Sequence, residues 1–124
     1  MTPTIKNLTP HAITLRAADG AETTLAPAGA VPRVGNAPGA MVSDHPLAGV
    51  VAVFGPDRAG AVVGLPDPEP GVFLVVSGMV GDALRAAGLS RPDVLVPGTG
   101  PADGAVRNAA GHVVAVTRLK VATA

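Results

Sequence analysis

Five arginines, Arg33, Arg85, Arg91, Arg107 and Arg118, stand near turn-forming residues. A planar guanidinium is well suited to two-pronged capture of a phosphate or carboxylate. A second anion-holding feature is Ser77-Gly78, where an apolar run gives way to helical spacing. A helix that starts there presents free backbone N–H groups, which attract negative charge. If the Gly/Pro-rich loop 97–108 folds over that turn, Arg91 and Arg107 converge on the charged end of a ligand. The candidate ligand-binding residues are Ser77, Gly78, Arg91, Arg107, Asn7, His11, Arg33 and Thr99. The plainer alternative has Ser77 and water satisfying the helix end. In it each arginine lies free on the surface or pairs with Asp82, Asp93 or Asp103.

Other chemistries find no support in the spacing. A hydrolase elbow requires glycine two residues to either side of the serine, whereas Ser77 has Val75 and Met79 there. No Gly-Lys-Ser/Thr closes a phosphate loop. Gly98-Thr99-Gly100 precedes Pro101 instead of a helix, unlike a dinucleotide fingerprint. His11, His45 and His112 are far apart and lack metal-ligand spacing. Asp67 and Glu69 alternate with prolines, as in a solvated turn. Without cysteine there is neither a disulfide nor a thiolate ligand or nucleophile. No catalytic residue, metal or cofactor is expected.

Composition narrows the partners. The 124 residues carry nine basic and nine acidic side chains, so no broad basic face exists to track a nucleic-acid backbone. The only aromatics, Phe54 and Phe73, are too few for base stacking. Apolar residues make up 48%, which argues against disorder, while 16 glycines and 13 prolines imply many short elements joined by turns. One domain, residues 1–124, is expected. No apolar run is long enough to cross a bilayer and no secretory h-region is present, so a soluble, cytoplasmic protein without a membrane partner is expected.

The elements that must position these residues centre on Val72–Val76, which reads as a strand buried on both faces. Val80, Ala83, Leu84 and Ala87 follow at helical spacing, and Gly88 ends the helix, giving a helix over about 78–88. Upstream, Thr4–Leu8 forms a first strand. Ala12–Arg16 and Thr23–Leu25 form a hairpin about Asp19-Gly20. Val31–Val34 is an edge segment because of Pro32. Residues 35–48 read as loop, Gly49–Phe54 as a strand, and Ala61–Leu65 as its hairpin partner. Downstream come Asp93–Val96, a hairpin entry at Val106–Asn108, and a last strand from His112 to Val121. The shared VVAV at 50–53 and 113–116 reads as two similar core strands. The fold class is α+β, a mostly antiparallel sheet of short strands with one short helix after a central buried strand.

The order of short motifs also carries a resemblance. Asn7-Leu8-Thr9-Pro10-His11 is followed by Val31-Pro32-Arg33-Val34, Leu65-Pro66 with Pro68 and Gly71, and Val75-Val76-Ser77. Arg91-Pro92-Asp93-Val94 with Pro97-Gly98, and Gly111 with Val113, complete the series. Together they resemble a family of small phage, prophage and actinobacterial proteins, with Phe73 standing where a tyrosine is expected. The resemblance implies a viral setting. With that setting, the helix-entry turn and the arginine-bearing loops give the leading expectation, a non-enzymatic, homo-oligomeric sponge that sequesters a small phosphorylated nucleotide immune signal, such as a cyclic ADP-ribose relative, in the host cytoplasm. The alternative is a phage structural or accessory module that assembles through edge strands. A third reading is an enzyme acting on nucleotides through His11 or His112.

Overall fold

Short β-branched runs separated by glycine and proline dictate short strands, and eleven elements result among the described residues. The computed structural model describes residues 3–123. In chain order they are β1 (Thr4–Asn7), β2 (Ile13–Arg16), β3 (Glu22–Leu25), β4 (Arg33–Ala37), β5 (Arg58–Val63), β6 (Val72–Val75), α1 (Gly78–Ala86), β7 (Val94–Pro97), β8 (Val106–Arg107), β9 (Val113–Ala115) and β10 (Leu119–Val121). The principal sheet has the order β1-β6-β7-β10. Its β6 runs parallel to both β1 and β7, and β10 is antiparallel to β7. The ribbons β2–β3, β4–β5 and β8–β9 are all antiparallel. The α+β, largely antiparallel expectation therefore holds, with a parallel pair of contacts at its centre.

The passage from β6 into α1 is set by local chemistry. Ser77 keeps an extended backbone, and its Oγ accepts a hydrogen bond from the Val80 amide at 3.3 Å. At the other end Gly88 takes φ +71, a conformation open to glycine. Its amide donates to the Arg85 carbonyl and that of Leu89 to the Leu84 carbonyl, which closes the helix.

Strand alternation sends two different sets of residues to the two sheet faces. One face carries Leu8, Leu74, Val76, Val94 and Ala122, which pack against Val80 and Leu84 of α1. Val34 and Val62 of the β4–β5 ribbon extend this core. Helix and sheet approach closely at Gly81, where an added Cβ would fall 2.7 Å from Val96 Cγ1. The opposite face carries Ile5, Asn7, Phe73, Val75, Leu95, Leu119 and Val121 in register. The β2–β3 hairpin reaches that side through two bridges, Asn7 with Pro27 and Leu15 with Val116.

Two expectations are corrected. Gly49–Phe54 is not a strand, and β5 pairs with β4 instead. Beyond β4 and β5 the chain continues as an arm, residues 38–57. It is held by the Val42 amide on the Val53 carbonyl and the Gly55 amide on the Ala40 carbonyl. Val50 and Val51 lie exposed at its end, whereas Ala115 and Val116 are buried, so the two VVAV segments are not equivalent core strands. The last strand is also two, β9 and β10. A break at Val116–Arg118 lets the first join β8 and β2 while the second joins β7.

Leu84 is 1% exposed between helix and sheet, while Val50 is 79% exposed on the arm. Leu84→Ala is expected to destabilise by about 2–5 kcal/mol in chemical denaturation. Val50→Ala should stay within about 0.5 kcal/mol. Equal effects would contradict this assignment of core and arm.

Candidate functional site

The carboxyl ends of the parallel strands β1, β6 and β7 lie side by side, the edge at which open α/β sheets commonly bind ligands. Asn7 ends β1, Ser77 and Gly78 follow β6, and Thr99 follows β7. Four of the expected residues thus follow the carboxyl ends of neighbouring strands, although Thr99 lies toward the hairpin side with Ala12 and Val113 and not over the helix entry. His11 joins them through its backbone.

At this edge the Asn7-Leu8-Thr9-Pro10-His11 segment forms a clasp, with Asn7, Leu8 and Thr9 buried and Pro10 and His11 exposed. Asn7 is 1% exposed. Its Nδ2 donates to the His11 carbonyl at 2.8 Å and to the Leu25 carbonyl at 2.9 Å. Its Oδ1 accepts from the Thr9 amide at 2.9 Å and lies 2.6 Å from the Thr9 hydroxyl. A primary amide offers two donors and two acceptor sites, and all have partners here. Asn7 therefore ties β1, the following turn and the end of β3 together, with no free polar atom to offer a ligand. The imidazole of His11 lies on an exposed residue.

The helix entry is more open. Ser77 Oγ and the Ser77 carbonyl receive the Val80 and Gly81 amides, while those of Gly78 and Met79 have no acceptor among the described residues. Nothing lies within 4 Å of where a Gly78 Cβ would stand.

The arginines do not converge there. Arg91 lies at the opposite end of the sheet, before β7. Its Nε and NH2 grip the two Asp93 oxygens at 3.0 and 2.9 Å, and NH2 also donates to the Pro66 carbonyl. This two-pronged bond raises the Arg91 pKa and holds the Asp93 carboxyl below its ordinary range. Arg107 donates to the carbonyls of Gly111 and Thr99, so those two expected residues do meet. Arg33 sits on β4, opposite Val63. Arg85 pairs with Asp82 at 2.8 Å, and Arg118 lies 3.9 Å from Asp103. All three acids named in the plainer alternative are thus arginine neighbours.

Loop 97–108 is pinned away from Ser77. Asp103 is 3% exposed; its Oδ2 accepts from Lys120 Nζ at 2.7 Å and from the Gly100 amide at 2.8 Å. The Thr117 hydroxyl donates to the Asp103 carbonyl at 3.0 Å. The loop is fixed along β10, so it does not close over the helix entry. Lys120 chiefly holds the Asp103 carboxyl below its usual range, against the opposing effect of burial.

Two recesses flank the β2–β3 hairpin. The smaller, about 190 Å³, lies among Ala12–Thr14, Pro97, Thr99 and Val113–Val116. The larger, about 420 Å³, is an apolar cleft between the hairpin and the edges of the sheet, lined by Ile5, Leu15, Leu25, Val116 and Leu119 among others. Sequence reasoning missed this cleft, because it arises from the packing of a hairpin that no local pattern locates. Among the described residues no three His, Asp or Glu side chains gather as a metal site. No helix of the described chain is long and apolar enough to cross a membrane. Comparison with family models, curated proteins and solved structures yields no match.

Because the folded-state pKa of Asp103 is depressed, its ionisation stabilises the fold above its ordinary value of about 3.9. That contribution fades as the pH falls through the folded-state value. Asp103→Asn should therefore be less stable than wild type near neutrality, with the gap closing in acid. Thermal unfolding followed from neutral pH to about pH 3 checks this; parallel stability curves would contradict it.

Proposed function

We infer that the protein is a non-enzymatic interaction module that docks to another protein chain through its apolar arm, in the phage-type setting implied by its sequence motifs. One observation carries this reading. Met41, Leu47, Val50, Val51 and Phe54 are all exposed within a short stretch of the arm, whose two limbs meet at the isolated Met41–Phe54 bridge. Clustered exposed apolar side chains mark interaction surfaces. Single ones would need no explanation. Residues 38–57 also hold no lysine or arginine, so few charges oppose the burial of that surface.

Capture of a phosphorylated nucleotide is the second reading, supported by the two unaccepted amides at Gly78 and Met79 and the open space beside Gly78. Its support is narrower than the sequence suggests. Arg91 is held by Asp93, and Arg107 by two carbonyls. A ligand there has only a helix end to hold it.

A photo-crosslinking amino acid at position 50, activated in cells, should join the arm to a protein. Absence of any protein adduct would contradict the docking reading. Calorimetric titration with cyclic ADP-ribose and ADP-ribose separates the second reading. The docking account expects no heat of binding, and saturable binding lost in Gly78→Asp would favour capture instead.

A further inference from the structure

We propose that the arm of one copy seats in the apolar cleft of a second copy of this chain. The proposal rests on the docking reading and names its partner. The molecule leaves both an apolar protrusion and an apolar recess uncovered, and the two match in charge. Residues 38–57 carry Asp44 and, next to Arg58, Asp57, and no lysine or arginine. The cleft is lined by Ile5, Leu15, Leu25 and Leu119, and also by Arg118 and by Arg16, whose guanidinium is already taken by Glu22 at 2.7 Å, so Arg118 alone carries the charge match. Arg118 has only a loose carboxylate neighbour at 3.9 Å, because Lys120 holds Asp103 more closely. An acid on the arm therefore meets an under-neutralised base at the cleft, the complementarity that sets register between apolar surfaces. The cleft volume of about 420 Å³ falls in the range of sites that bury compact apolar groups.

The arm does not fill its own cleft. Its stem, β4 and β5, extends the core on the α1 side of the principal sheet through Val34 and Val62. The cleft opens on the other face, beside Ile5 and Leu119. Protrusion and recess thus lie on opposite sides of one sheet, and pairing them requires a second molecule. Two such unlike patches satisfy each other in a reciprocal exchange of arms, which closes into a dimer.

Sedimentation equilibrium tests this with the full chain. Wild type should associate, and Val50→Asp and Thr23→Glu, each at an exposed position, should weaken association at least about tenfold, with thermal midpoints that match wild type once all are diluted to monomer. Thr23 lines the cleft, and a carboxylate there opposes Asp44. Mixing the two variants restores one intact arm–cleft pair, so the mixture should dimerise more tightly than either variant alone. A monomeric wild type, wild-type association in either variant, or no recovery on mixing would overturn the proposal. If position 50 then crosslinks to a different protein, self-pairing falls and docking stands. If it crosslinks to none, both fall.

Discussion

The side-chain amide of Asn7 is the point on which the two layers of this molecule depend. An uncompensated amide in the interior costs several kcal/mol relative to water, so a buried asparagine survives only where the chain arranges partners around it. Here the arrangement draws in the turn after β1 and the carbonyl of Leu25 at the end of β3. One side chain thereby fixes the hairpin relative to the sheet. Apolar burial alone would not specify that position, because the inner face is incompletely covered and leaves the cleft.

The two faces of the sheet are stabilised differently. On the helix side, Leu74, Val76, Val94 and Leu84 are nearly inaccessible, and Gly81 lets α1 approach closely. That side is an ordinary close-packed core. On the hairpin side Val75, Ala115 and Val116 are buried as well, and hydrogen bonds add to the attachment: the Asn7 clasp, the Ala28 amide on the Asn7 carbonyl, and the Arg16 and Val116 amides between β2 and the chain after β9. Asp103 performs a comparable task for the final loop, holding it to β10 through Lys120. Polar fastening of this kind fixes the position of elements that apolar burial alone leaves free to shift.

Where the signals are local, the fold was legible in the amino-acid sequence. Ser77 and Gly88 bracket α1, Asp19-Gly20 turns β2 into β3, and Asp82 sits three residues before Arg85 on one helix. The parallel contact of β1 with β6 was not legible, because it joins residues at opposite ends of a long insertion. Val50–Val53 misled for a related reason. Its composition is that of a core strand, yet exposure is decided by what packs on it, and there the chain offers nothing. Asn7 and His11 were legible as special but not in their role. An asparagine with threonine two residues on is the pattern of a side chain that bonds its own backbone, and that signal points to architecture before ligands. The arginines followed the same rule, since Asp93 lies two residues from Arg91 and claims it. What remains for function is the apolar arm and the cleft, neither of which alternation or motif spacing reveals.

Hydrogen exchange of the native chain, compared with Asn7→Ala, measures most directly whether the clasp organises the molecule. The account predicts faster exchange at the Arg16, Ala28 and Val116 amides, which tie the hairpin to the rest, with the Leu74, Val76 and Val94 amides of the core protected as before. Uniform loss of protection, or none at all, would show that the hairpin is held by something other than Asn7.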